Sequence, residues 1–211
     1  SSLGNNTGSI LTTQTRNFNT NGIYEYNGIS NQNYGSGLPV IVYDLLINNS
    51  GGTNNNIVLA DKNIDIQRNI SILQGALNLQ TYTSNSQSGT GNASINANAR
   101  LIIGGNNNLL TSFNNYSNYS IDIDSYIEFS GGSGNTQIIN LLPNNLTSGL
   151  GNVDLTYGGT KIANNSLLIR GNLHNYTASI LQISQIDALQ VKKNVINESQ
   201  IINSGILEIG E

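Results

Sequence analysis

The sequence predicts an all-β solenoid, a rod of stacked coils of roughly 20–26 residues each. Three observations predict it. Apolar residues recur at every second position in short runs, the period of a strand with one buried face. Those runs end in glycine or asparagine, which number 23 and 38 among 211 residues and tolerate the left-handed backbone of sharp corners. The chain also repeats itself, at two scales.

The short repeat is an alternation closed by a turn: "LLINNSGG", "ALNLQ", "ARLIIGG", "YIEFSGG", "VDLTYGG", "SLLIRGN", "ALQVKKN" and "ILEIGE". The first apolar residues are Leu45, Leu77, Leu101, Ile127, Val153, Leu167, Leu189 and Leu207, on average about 23 residues apart, the span of a solenoid coil. Alternation directs Leu77, Leu79, Leu101, Ile103, Ile127, Phe129, Val153, Leu155, Leu167, Ile169, Leu207 and Ile209 to a common interior. One such strand cannot bury its apolar face alone, whereas stacked copies form a continuous column. Stacked asparagines can also hydrogen-bond along the axis. Like charges would sit directly over one another, so the low charged fraction of 9% is expected.

The long repeat matches Tyr24-Glu25-Tyr26 to Ile127-Glu128-Phe129, Leu38-Pro39 to Leu142-Pro143, Gly51-Gly52-Thr53 to Gly158-Gly159-Thr160, and Asn69-Ile70 to Asn172-Leu173. Four blocks in one order make an internal duplication. It divides the chain into an N-terminal segment or cap (1–22), a first solenoid repeat (23–125) and a second (126–211). On this alignment Glu25 and Glu128 are equivalent, outward-facing strand residues. No amphipathic helix emerges, and the closest candidate, residues 178–196, still alternates and is read as strand.

Composition restricts function. There is no cysteine, which excludes disulfides and thiolate metal sites, and no run approaches the roughly 20 apolar residues that span a bilayer. A net charge of −4 with eight scattered lysines and arginines favours neither nucleic acid nor membrane insertion. The absence of methionine and the start at Ser1 are expected of a processed product or a segment, and the close on "GILEIGE" suggests that the pattern continues. The balance suits a secreted or surface-exposed protein.

The order "YEYNG…GLPVIVYDLLINNSGGTNNNIVLADKNIDIQRNISILQGALNLQ", repeated as "IEFSGG…NLLPNNLTSGLGNVDLTYGGTKIANNSLLIRGNL", resembles the large secreted repeat proteins of the Bacteroidota. These are cell-surface adhesins and related exoproteins, commonly exported by the type IX system. The resemblance covers roughly residues 20 to 211 and implies a right-handed parallel β-helix serving as a stalk or adhesive rod. A carboxy-terminal sorting domain and a recognisable ligand module, present in the longest members, are missing.

Candidate sites are few. Asp122, Asp124 and Glu128 alternate with isoleucines, and on the outer face of one strand they could hold a calcium ion, the one cofactor the sequence suggests. Tyr116 and Tyr119 could form an aromatic platform for carbohydrate; the competing reading packs them against the rod. Glu25 and Glu128 lie too far apart in the stack for a glycosidase pair. His174, the lone histidine, reads as a surface residue. The glycine-rich "LIIGGNNN" and "FSGGSGN" lack the lysine and helix of a phosphate loop.

The function expected is therefore a non-enzymatic extracellular adhesin or stalk segment, whose partner is a cell-surface or extracellular polymer, with self-association as a further expectation. The alternatives are a filament or matrix subunit and, least favoured, a polysaccharide-degrading β-helix enzyme.

Overall fold

The alternation forms strands almost everywhere it occurs. In the computed structural model, which describes residues 19–52, 55–142, 149–185 and 188–210, half of those residues are strand and four are helix, wound into a β-solenoid of about 7 turns. Among the described residues every strand pairing is parallel, so each neighbour in a sheet comes from the next coil.

Four sheets make the walls. The first contains β1 (Ile23–Tyr26), β3 (Ile41–Asn48), β5 (Ile64–Gln74), β8 (Asn92–Ile95) and β10 (Asn118–Ile121), with β7 (Ser84–Ser86) beside the start of β5. The second is the longest: β2 (Gln32–Asn33), β4 (Ile57–Leu59), β6 (Ala76–Asn78), β9 (Arg100–Gly104), β11 (Tyr126–Ser130), β13 (Asn152–Leu155), β16 (Leu173–Asn175) and β19 (Val195–Asn197). The third holds β12 (Thr136–Ile139), β14 (Gly159–Ala163), β17 (Ser179–Ile183) and β20 (Gln200–Asn203), and the fourth β15 (Leu167–Ile169), β18 (Ala188–Val191) and β21 (Ile206–Ile209). Within residues 178–196 the alternation forms β17, β18 and the start of β19, with turns at 184–185 and 192–194 and no helix among the described residues. One four-residue helix, α1 (Leu109–Ser112), was not predicted; Asn108 and Thr111 cap each other's backbone and close it locally.

Register gives the coil length. Along the second sheet the aligned residues Asn33, Leu59, Asn78, Ile102, Glu128, Asp154, His174 and Ile196 are 19 to 26 residues apart. On the inner face Val58, Leu77, Leu101, Ile127, Val153 and Leu173 form one apolar column, each fully buried. Burying each such side chain stabilises the fold by about 1.5–3 kcal/mol, but only with a coil on either side. Ten of the twelve predicted interior residues are buried. Leu207 is half-buried and Ile209 is 57% exposed, because β21 has a strand partner on one side only among the described residues.

Asparagine ladders follow the axis as expected. Asn118 donates to Asn92 at 2.9 Å and Asn92 to Asn69 at 3.0 Å. Asn194 donates to Asn172 at 3.0 Å, and Asn172 to Asn152 at 3.1 Å.

The duplication does not map wall onto wall. Glu25 lies on β1 of the first sheet and Glu128 on β11 of the second, so they are not equivalent. Four coils carry Ile23 to Asn118, a span of 95 residues, and an offset of 103 overshoots that span, past a corner to the next wall. The second sheet also runs through the boundary at 125/126, with β11 paired to β9 on one side and β13 on the other. Of the cap expected over 1–22, only the last four residues fall among those described, and Pro143 lies outside them.

Candidate functional site

The outer face of the second sheet carries the densest chemistry of the described residues. Three adjacent coils each place a long polar side chain there: Arg100 on β9, Glu128 on β11 and Asp154 on β13. Glu128 and Asp154 are register partners, so their like charges stack directly, which alone is unfavourable. Arg100 resolves the conflict. Its Nη1 donates to Glu128 Oε2 and to Asp154 Oδ2, both at 2.7 Å, and Thr156 Oγ1 donates to Glu128 Oε1 at 2.7 Å. The guanidinium also lies 4.7 Å over the ring of its register neighbour Tyr126. Burial opposes the Arg100 charge, but Asp154 and then Glu128 more than offset it, and its pKa lies above the ordinary arginine value.

The next coil continues the face. His174 Nε2 lies 2.8 Å from Glu198 Oε1, a bond that lowers the Glu198 pKa, and the His174 ring stacks on Tyr176 at 3.6 Å. His174 thus lies on the outer face, as expected of a surface residue, but on strand β16 and half-buried among partners. Between the rims of this face runs a groove of about 1240 Å³, whose lining includes Asn78, Arg100, Glu128, Asp154, Tyr157 and Tyr176.

The residues singled out in the sequence fare differently. Asp122, Asp124 and Glu128 do not share a strand face: β10 ends at Ile121, residues 122–125 turn the corner, and Glu128 belongs to the next wall. The Asp122 carboxylate accepts from the Asp124 backbone N–H at 2.9 Å, Asp124 pairs with Lys193 at 3.3 Å, and Glu128 is held by Arg100. Among the described residues no group of three acidic, histidine or cysteine side chains is placed to hold a metal ion, and Asp122, Asp124 and Glu128 do not form the calcium site expected of them.

Tyr116 and Tyr119 are 3% and 9% exposed and point into the rod, so they offer no surface platform. They pack with Phe113 at ring separations of 5.5 and 6.5 Å, and Tyr116 donates its hydroxyl to the Ser84 carbonyl at 2.8 Å. Burial raises both phenol pKa values. Tyr119 is two residues before inward-facing Ile121, so alternation alone carried the signal of its burial. Glu25 is exposed and faces outward, accepting from Asn48 Nδ2 at 2.8 Å. Sequence reasoning missed Arg100, Asp154 and Tyr157, which only the register of unequal coils brings together.

A comparison of the chain with protein-family models, curated proteins and solved structures found no match to any of them. The class defined by the fold is a parallel β-solenoid repeat protein.

Proposed function

We propose that this chain is a non-enzymatic segment of an extracellular rod, an adhesin or stalk that holds a surface or matrix polymer, as the resemblance to secreted repeat proteins of the Bacteroidota implies. The observation that supports the reading is axial continuity. Eight parallel strands of one sheet follow one another without interruption, which at about 4.8 Å per strand separates the first from the last by roughly 34 Å. Such a stack spaces what lies at its ends and presents a uniform flank between them. The acidic residues of that flank are engaged with Arg100 and Thr156, which suits a packed binding surface better than a general acid and base.

Beads coated with the purified chain test the reading. They should adhere to extracellular polymer preparations, and the soluble protein should release no reducing ends from polysaccharides. Failure to adhere, or steady release of product, contradicts it.

A second reading, a filament subunit, is favoured by one feature. Ile196, Ile202, Ile206 and Ile209 are 42 to 57% exposed on β19, β20 and β21, each of which has one strand partner among the described residues. Such edges accept a further parallel strand, from the chain's own continuation or from a second copy, and the second case is filament growth by strand addition. Concentration-dependent polymerisation in sedimentation would support this second reading.

A further inference from the structure

We propose that the groove on the outer face of the second sheet binds an extended, uncharged glycan laid along the rod axis, with Tyr157 and Tyr176 as the surfaces for its sugar rings. The proposal rests on the polymer-binding reading above and names its site and ligand class.

Geometry supplies the first argument. The groove crosses successive coils, so its side chains repeat at about 4.8 Å along the axis. Asn78, Glu128 and Asp154 belong to a single aligned row of that repeat. A pyranose chain has a comparable repeat per ring and an alternation of apolar faces with hydroxyl edges. Amide and hydroxyl groups such as Asn78, Thr81 and Asn98 line the same groove and both donate and accept, as sugar hydroxyls require.

Charge selects among polymers. Two carboxylates share one guanidinium, which leaves an excess negative charge, and Glu198 stands beside the row. A polyuronate or sulfated chain would be repelled. Arg100 is already committed to two carboxylates and a tyrosine face, so its charge is spent within the protein.

Tyr157 supplies the third argument. It stands at the corner between β13 and β14, 76% exposed, with a backbone φ of 58°. The left-handed backbone belongs to sharp turns, since Gln80, Asn98, Asn115, Asn165 and Ala178 share it; exposure of a large ring is what sets Tyr157 apart. The corner thus presents a large aromatic face to solvent at the lip of the groove. Tyr176 lines the same groove, with one ring face covered by the stacked His174 and the other left for a ligand. Aromatic faces of this kind take the C–H faces of sugars, and the hydroxyl tips bond their edges.

Affinity electrophoresis of the 211-residue chain in native gels tests the proposal, using barley β-glucan, galactomannan and polygalacturonate as probes. One of the neutral polymers should retard migration and polygalacturonate should not. Tyr157→Ala should weaken retardation about tenfold, Tyr157→Phe should retain most of it, and Ser120→Ala, on the first sheet, should change nothing. Thermal melts alongside would verify that each variant is folded. Retardation by polygalacturonate alone, no retardation by either neutral polymer, or full binding by folded Tyr157→Ala would each overturn the proposal. Bead adhesion that persists under those outcomes would leave the adhesive-rod reading standing and place its contact elsewhere.

Discussion

Arg100 on β9 and Asp154 on β13 are joined by a 2.7 Å hydrogen bond that spans the strand between them. The same nitrogen holds Glu128 on that middle strand, so one cation fastens three coils and permits two carboxylates to stack. Arg100 is 29% exposed at its side chain, whereas Glu128 and Asp154 are 12% and 8% exposed. Removing the cation therefore strands two nearly buried charges.

Replacing Arg100 by methionine should cost about 3 kcal/mol, since it leaves both carboxylates uncompensated. Glu128→Gln alone should cost about 1 kcal/mol, because Arg100 keeps Asp154. The double variant should be more stable than Arg100→Met, since one of the two repelling charges is gone. Urea melts of the three variants measure this directly, and additive losses would show that the residues do not act together.

Gly91 should be intolerant of any side chain. A Cβ there would lie 1.4 Å from the Arg68 carbonyl oxygen, which is backbone and cannot swing aside. Asp44 faces the same corner, accepting from Arg68 Nε and from the Asn69 N–H, each at 2.9 Å. Gly91→Ala should lower the melting temperature sharply, or prevent soluble expression, while Gly52→Ala, with no atom of the described residues within 4 Å of its Cβ position, should not. Equal melting temperatures for the two would count against the close coil contact described.

Lys161 gives the rod a dependence on pH. Its side chain faces inward from β14, and its ammonium is held by the carbonyl oxygens of Gly131, at 2.7 Å, and Gly158, with burial lowering its pKa from 10.5 to about 8. Between those values the unfolded chain retains a proton that the folded chain has lost, so stability rises with pH across the window. The buried phenols of Tyr26 and Tyr34, whose pKa values are raised by burial, reverse the trend above about pH 10, where the unfolded chain ionises first. Melting temperature should therefore increase from about pH 7.5 to 9.5. Lys62, shifted in the same direction, adds to the rise, so Lys161→Met should reduce it without abolishing it. A flat or falling profile in the unmodified chain would contradict the placement of the ammonium.

The interior was legible in the sequence because a period of two is a local property: Ile127 and Phe129 declare their side of the strand without knowledge of any neighbour. The asparagine ladders were legible for a related reason, since their residue type serves both the corner and the axial bond. What crosses coils was not. Arg100 meets Asp154 only because two successive coils each take 26 residues, while others take as few as 19. The same inequality broke the apparent equivalence of Glu25 and Glu128. The corner at Asp122–Ser125 was hidden because Ile123, 39% exposed, continues the alternation through a turn that has no glycine, proline or asparagine.

Thermal melts of Phe129→Asp beside Glu25→Gln and Glu128→Gln test most directly the claim that stacked inward columns carry the fold and the outer face adds to it. Phe129 is fully buried between Ile103 and Leu155 in register, so a carboxylate there should cost several kcal/mol and leave little folded protein. Glu25→Gln, on an exposed side chain, should be within about 0.5 kcal/mol of the unmodified chain, and Glu128→Gln should lose only its share of the Arg100 network. Comparable losses for Phe129→Asp and Glu25→Gln would contradict the account.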